Sequence, residues 1–378
     1  LSADAADPAL RRMVHTVLMP GFGGTSVPPW LARAIDDGVG AVVYFAPNLG
    51  ADPAALSAEL HALRPDVLAA SDEEGGRVTR LHAARGSPFP GHGELGRGSP
   101  ERTRATAAAM GRELAHAGIG AALAPVADVN VDPANPVIGD RSFGADPERV
   151  AAHTAAFVEG LHAAGIAAAA KHFPGHGDTR TDSHVGLPVI GVDIATLRRR
   201  ELVPFAAAVA AGADMVMTGH IAVPALDTAP ASVSARCYGL LRSELGFAGA
   251  AITDALDMRG LAAHTGAGDR AAGVARGAVA ALAAGADLLC LGNPADTGRA
   301  ENAERAVGFP GGPGGRVAAG EERRPRTPRT AAATGEALFR AARDAVLAAV
   351  DEGRIGKSRL AEAAGRVEGL LASRSRAP

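Results

Sequence analysis

Aromatic side chains are scarce in this 378-residue chain: one Trp, two Tyr and ten Phe, 3% of the whole. A core of this size must then be filled by Ala, Val, Leu and Ile. Cysteine is scarcer still. Only Cys237 and Cys290 are present, far apart in sequence, so nothing suggests a disulfide framework, and Cys290 sits in an apolar run where a small buried thiol is expected rather than a redox centre. Charge of one sign is also missing. Thirty-eight basic residues against 41 acidic ones leave a formal charge of -3, which removes the electrostatic argument for nucleic acid or an anionic membrane as partner. A small neutral or mildly charged ligand fits better. No run of about 20 apolar residues exists, so membrane insertion is not expected. Leu1-Ser2-Ala3-Asp4 lacks the basic and apolar regions of a signal peptide, which points to the cytoplasm. Because the chain does not begin with Met, a removed leader, and with it secretion, stays open.

What is present is an alternation of short apolar runs with Ala-rich amphipathic stretches, sustained from Val14 to Leu291. Eight strands are expected, near His15 to Met19, Ala41 to Phe45, Asp66 to Ala70, Ala121 to Val126, Ile166 to Ala170, Asp214 to Thr218, Ala250 to Thr253 and Asp287 to Leu291. Their near-continuous apolar character implies a parallel sheet covered on both faces. Eight such units in this length predict a single (β/α)8 barrel spanning residues 1–378. The rival, an open doubly wound sheet, should open on a glycine-rich dinucleotide fingerprint, and Pro20-Gly21-Phe22-Gly23-Gly24-Thr25 lacks that spacing. From Asn293 to Gly335 the chain is rich in Gly, Pro and Arg, so a flexible loop is expected over 294–335. Helices are expected to resume at Glu336 to Asp351 and Lys357 to Ser373.

In a barrel the active site lies at the rim where the strands' C-terminal ends converge. Polar residues follow seven of the eight expected strands: Asn48, Asp72, Asp128 with Asn130, Lys171 with His172, His220, Asp254 and Asn293. One such residue is ordinarily a turn former or helix cap; agreement at this many strand ends points to a site. The densest segment is Lys171-His172-Phe173-Pro174-Gly175-His176-Gly177-Asp178-Thr179, continuing to Asp182-Ser183-His184. Asp182 and His184 can hydrogen-bond if the loop folds back, and a carboxylate would orient the imidazole and raise its pKa. Two other readings remain, a solvated polar loop and a metal site of His172, His176, Asp178 and His184. Against the metal, no His-X-His follows the first strand. The strand Ala250-Ala251-Ile252-Thr253 ends in Asp254, a carboxylate aimed at the mouth as a nucleophile on an anomeric carbon must be. Asp257, beyond the strand, is expected to cap or decorate the next helix.

These residues resemble glycoside hydrolase family 3, in its N-acetylglucosaminidase branch, over Gly21 to Asn293. The Lys171 to His184 segment carries the resemblance, with Asn135-Pro136-Val137-Ile138-Gly139-Asp140-Arg141-Ser142-Phe143-Gly144, Asp72-Glu73-Glu74-Gly75-Gly76-Arg77-Val78 and the Ile252-Thr253-Asp254 strand end. It implies a retaining β-N-acetylglucosaminidase with Asp254 as nucleophile and His184, held by Asp182, as acid/base. Asp72, Arg141, Lys171 and His172 would bind the sugar. No cofactor or metal is implied, the natural substrate would be peptidoglycan-derived, with chitooligosaccharides as the main competitor, and a monomer is expected. Relatives without the acetamido specificity carry a second domain for the acid/base carboxylate, and the residues after Asn293 leave no room for one. Phosphorolysis on the same site, a metal-dependent barrel hydrolase and a non-catalytic sugar-binding barrel are the alternatives. Glu73, where relatives often carry Gln, Gly219, where Ala is common, and the long 294–335 segment are departures that bear on substrate fit and rim shape.

Overall fold

Asp-Pro or Ser-Pro opens four of the helices, and the reason is local. Proline at the first helical position lacks an N–H that would go unbonded there, while the preceding side chain accepts from an exposed amide of the first turn. Asp7 accepts from Ala9 N, Asp52 from Ala55 N, Ser99 from Arg102 N and Asp146 from Glu148 N, at the heads of helices Pro8–Thr16, Pro53–Leu63, Pro100–His116 and Pro147–Ala163. The structure, a computed structural model, describes residues 7–50, 52–133, 135–179, 186–294 and 328–374.

Eight parallel strands form the ring: β1 (Leu18–Met19), β2 (Ala41–Tyr44), β3 (Leu68–Ser71), β6 (Ala121–Ala122), β7 (Ala167–Phe173), β8 (Met215–Thr218), β9 (Ala250–Thr253) and β10 (Leu289–Cys290). Strands β2-β3-β6-β7-β8-β9 make one continuous run, and β1 pairs with β10. Parallel bridges from Gly21 to Val43 and from Ile252 to Leu288 join the two pieces into a closed (β/α)8 barrel. Between β3 and β6 lies an antiparallel hairpin, β4 (Glu73–Gly75) with β5 (Val78–Thr79).

Side chains alternate across the ring with period two. Met19, Val43, Ala70, Leu123, Ala169, Met217, Ile252 and Cys290 share one buried interior cluster, whereas Leu18, Val42, Ala69, Ala122, Ala168, Val216, Ala251 and Leu289 pack outward under the helices. Val367, Leu370 and Leu371 of helix Lys357–Arg374 join the interior cluster. The last helix thus plugs the closed end. It is fixed there by Asp287, fully buried, which receives Arg242, Arg359 at 2.6 Å and Arg366 at 3.2 Å.

Several boundaries differ from expectation. His15 and Thr16 belong to the helix Pro8–Thr16, so β1 starts at Leu18. The fourth strand stops at Ala122, before Pro125, which has no N–H for the ladder. The fifth runs on to Phe173 and so carries Lys171 and His172 inside it. The helix expected from Glu336 begins at Pro328, inside the expected loop; residues 295–327 of that loop lie outside the described residues. Among the described residues no helix is long and apolar enough to cross a membrane.

Candidate active site

The interior alternation, carried one step past the last buried hydrophobic residue, selects the side chains of the mouth. Ala70, Ala169 and Ile252 are followed two positions on by Asp72, Lys171 and Asp254; Met19, Met217 and Cys290 are followed by Gly21, Gly219 and Gly292. Three charged groups and three glycines, with Phe45 and Pro125 after Val43 and Leu123, therefore ring the opening. The glycines permit close packing, since a Cβ would lie 2.4 Å from Gly292 O at Gly21, 2.6 Å from Ile221 at Gly219 and 1.9 Å from Asp257 Oδ1 at Gly292.

Lys171 is the hub. Its Nζ lies 2.7 Å from Asp72 Oδ1 and 2.7 Å from Glu74 Oε1. Glu74 also takes a bidentate pair from Arg141, Nε to Oε2 at 2.8 Å and Nη2 to Oε1 at 2.7 Å. Arg80 reaches the second oxygen of Asp72 at 3.5 Å. Burial alone would raise both carboxyls, but it is outweighed: Lys171 and Arg80 hold Asp72 below its usual range, and Arg141 and Lys171 hold Glu74 well below. Burial likewise opposes the charge on Lys171, and Asp72 and Glu74 overcome it and raise its pKa. The result is a preorganised, charged cage of donors and acceptors suited to hydroxyl and amide groups.

His172 sits beside it. Asp128, fully buried after β6, accepts from His172 N at 3.1 Å and from Nδ1 at 2.8 Å, so the proton is on Nδ1 and the ring is held in one orientation. His176 packs edge-on against His172, with centroids 5.7 Å apart, and bonds Thr179 Oγ1 through Nδ1 at 2.6 Å. Burial first, and His172 next, push its pKa down to about 4. Asn135 ties two motifs together, accepting from Val137 N and Ile138 N while donating to His176 O at 2.8 Å. Gly177 allows the fit, because a Cβ there would lie 1.9 Å from Val129 O.

Asp254 follows β9. Its N–H donates to Thr218 O, and its Oδ1 accepts from Ala255 N at 2.8 Å. His220 braces this turn from β8, Nε2 meeting Ala255 O at 2.9 Å and Nδ1 meeting Ser232 Oγ at 2.7 Å. Asp254 thus stands at the end of β9, between the ends of β8 and β10, and the Cys290 thiol, raised chiefly by burial, is raised further by Asp254, Asp257 and Asp72. Asp257 pairs with Arg270, which also bonds Asn293 O, so it helps clasp two rim loops.

Asp72, Arg141, Lys171 and His172 are thus brought into one connected cluster with Glu74 and Asp128, and Asp254 faces the same mouth. Asp182 and His184 lie outside the described residues. Glu74 was not singled out from sequence, although Asp72 and Glu74 two residues apart before Gly75-Gly76 are a signal for one face of a hairpin. Glu73 points elsewhere, accepting from Arg80 N and Leu81 N, tasks a Gln would perform equally. Within the metal set considered from sequence, Asp178 is paired to Arg200, and among the described residues no three His, Cys, Asp or Glu side chains gather as a metal site.

The Glycosyl hydrolase family 3 N terminal domain model matches residues 33–307. A Beta-hexosaminidase of Xylella fastidiosa is 38% identical over 317 residues, covering 78% of this chain and 91% of that protein. Beta-hexosaminidase A of Pseudoalteromonas piscicida is 37% identical over 264 residues, 63% of this chain but only 44% of that protein. Among solved structures, a glycoside hydrolase family 3 beta-N-acetylglucosaminidase from Paenibacillus sp. superposes with TM-score 0.80 at 36% identity, covering 97% of this chain and 62% of that one. A Beta-N-acetylhexosaminidase from Beutenbergia cavernae gives TM-score 0.74 at 28% identity, covering 97% and 99%. The chain therefore spans less than two thirds of two of these relatives and nearly the whole of two others.

Proposed function

The chain belongs to glycosyl hydrolase family 3, and from that premise we propose that it is a retaining β-N-acetylglucosaminidase releasing terminal β-linked GlcNAc, with peptidoglycan fragments as its natural source. The observation that carries the proposal is the buried Asp72–Lys171–Glu74–Arg141 cage at the same end of the parallel barrel as the strand-end carboxylate Asp254. The cage orients the sugar ring through charge-assisted hydrogen bonds, with His172, fixed by Asp128, as a further contact. Asp254 attacks the anomeric carbon and forms the covalent glycosyl-enzyme. In the same step His184, oriented by Asp182, protonates the departing oxygen; it then takes a proton from the incoming water. An imidazole in that role suits a site whose nucleophile is anionic, since its charged form attracts the carboxylate.

Hydrolysis of p-nitrophenyl N-acetyl-β-glucosaminide, beside p-nitrophenyl β-glucoside, tests the proposal with the wild type, Asp254→Ala and His184→Ala. The expected result is turnover of the acetamido sugar with retained β configuration, unchanged by a chelator, giving free sugar rather than sugar 1-phosphate in phosphate buffer. Turnover surviving Asp254→Ala, or abolished by the chelator, overturns it.

A further inference from the structure

The segment after β7 rests on a buried carboxyl that the proposed chemistry leaves unused. Glu201 ends the π-helical turn Leu197–Glu201, and its side chain is wholly buried. Its Oε1 accepts from Arg200 Nε at 2.5 Å, while Oε2 has no hydrogen-bond partner among the described residues. Gly175 lies directly on it. A Cβ at Gly175 would come within 2.7 Å of Oε2, and its φ of +131° is itself a glycine conformation. The other arm of the same guanidinium, Nη2, reaches Asp178 Oδ2 at 2.6 Å. One arginine thus joins a buried helix carboxyl to the far end of the segment carrying His176.

We propose that Glu201 is a positioning residue: through Arg200 it holds Asp178, and with it sets the stretch Gly175–Thr179 against His172 and Asp128. Stability alone is a poor reason for the arrangement. A buried carboxyl with an orphan oxygen costs free energy, and an apolar side chain of similar size would generally do better. Arg200 on its own turn, Asp178 from the loop and Asp128 from the end of β6 are the charged groups that act on Glu201, the first favouring its ionised form and the two carboxylates opposing it. Burial, the largest influence, pushes it up to about 7. The sign follows: the Arg200–Glu201 charge pair is complete above pH 7 and weakens as pH falls through that value.

The inference rests on the proposed glycosidase, so its test needs a readout that does not. Hydrogen exchange of the 175–179 amides, with kcat and KM on the p-nitrophenyl sugar at pH 6 and pH 8, is measured for wild type, Glu201→Gln, Asp178→Asn and the double variant. Expected are faster exchange in both single variants and kcat lower by roughly tenfold or more at pH 8 with a smaller change in KM. For Glu201→Gln the deficit narrows at pH 6, and the double variant is no worse than the worse single one. Unchanged exchange and kcat in Glu201→Gln, or losses that multiply in the double variant, overturn the proposal. If Glu201→Gln does not fold, Asp178→Asn decides alone: wild-type exchange and kcat there sink it. An inactive wild type would refute the glycosidase, leaving the exchange data to judge the clamp.

Discussion

Lys171 meets Glu74 at 2.7 Å with the two side chains only 2% and 1% exposed, so the end of β7 and the hairpin beyond β3 are locked together inside the barrel mouth. Arg141 meets the same carboxylate from the 3-10 turn Gly139–Arg141. Sequence segments far apart are thereby held in one geometry before any ligand arrives.

Removing Glu74 leaves an ammonium and a guanidinium buried without their shared partner. Glu74→Ala is expected to lose about 3–5 kcal/mol of stability, the range for breaking a buried ion pair on one side. Glu74→Gln, which keeps the shape without the charge, should lose less and still bind sugar poorly. Denaturant melts and KM for the p-nitrophenyl sugar check both. A Glu74→Ala protein as stable as wild type would mean that Arg141 finds water or Asp72 instead and that Asp72 alone suffices for Lys171.

Asp128 receives two donors from His172, one backbone and one ring. Asparagine in its place could turn an N–H toward the ring's N–H, so His172 must flip or change tautomer. Asp128→Asn should therefore reduce kcat/KM by roughly tenfold to a hundredfold with the fold intact. Steady-state kinetics beside a near-native melting curve would show this. Equal losses of activity and stability would instead mark Asp128 as a core residue.

Much of the mouth could be read from alternation alone. Asp72, Lys171 and Asp254 each sit two residues past an inward hydrophobic residue, and that parity is a local property of a strand. Glu74 and Glu201 could not be found so easily. Their roles come from partners on distant segments, Arg141 and Lys171 for one and Gly175 for the other, and no local period records such pairs. The helix start at Pro328 was hidden by composition. Arg and Pro around it read as loop, yet proline suits a first helical turn and the Ala-rich stretch after it favours helix. His15 misled in the other direction, because a buried apolar run is compatible with a helix end as well as a strand.

His92 behaves as an aromatic spacer. Its ring lies 4.3 Å from Phe143 and 5.0 Å from Phe157, centroid to centroid, and neither nitrogen has a partner among the described residues. Burial, against the pull of Glu74, drives its pKa from 6.5 down to about 3. Since the folded value is the lower one, its contribution is whole above pH 6.5 and is lost as pH falls toward 3, by about 1.4 kcal/mol per pH unit. His92→Phe should flatten the acid side of the stability profile between pH 6 and pH 4. Parallel profiles for the two proteins would show that His92 is not held neutral in the fold.

At the opposite end of the barrel, Asp287 gathers Arg242, Arg359 and Arg366 and also accepts from Ala251 N at 2.9 Å. Two of those arginines belong to the helix Lys357–Arg374 that plugs the interior. Asp287→Asn removes the charge common to all three, so the helix loses its anchor while three cations remain close together. A loss of about 3–5 kcal/mol is expected, with the last helix becoming more open to proteolysis than the rest of the barrel. The rim is at the far end of every strand, so kcat measured per folded molecule should hardly change. A fall in kcat without a fall in stability would mean that strain at the closed end is transmitted along β10 to Gly292 and, through its contact with the Asp257 carboxylate, to the loop after Asp254.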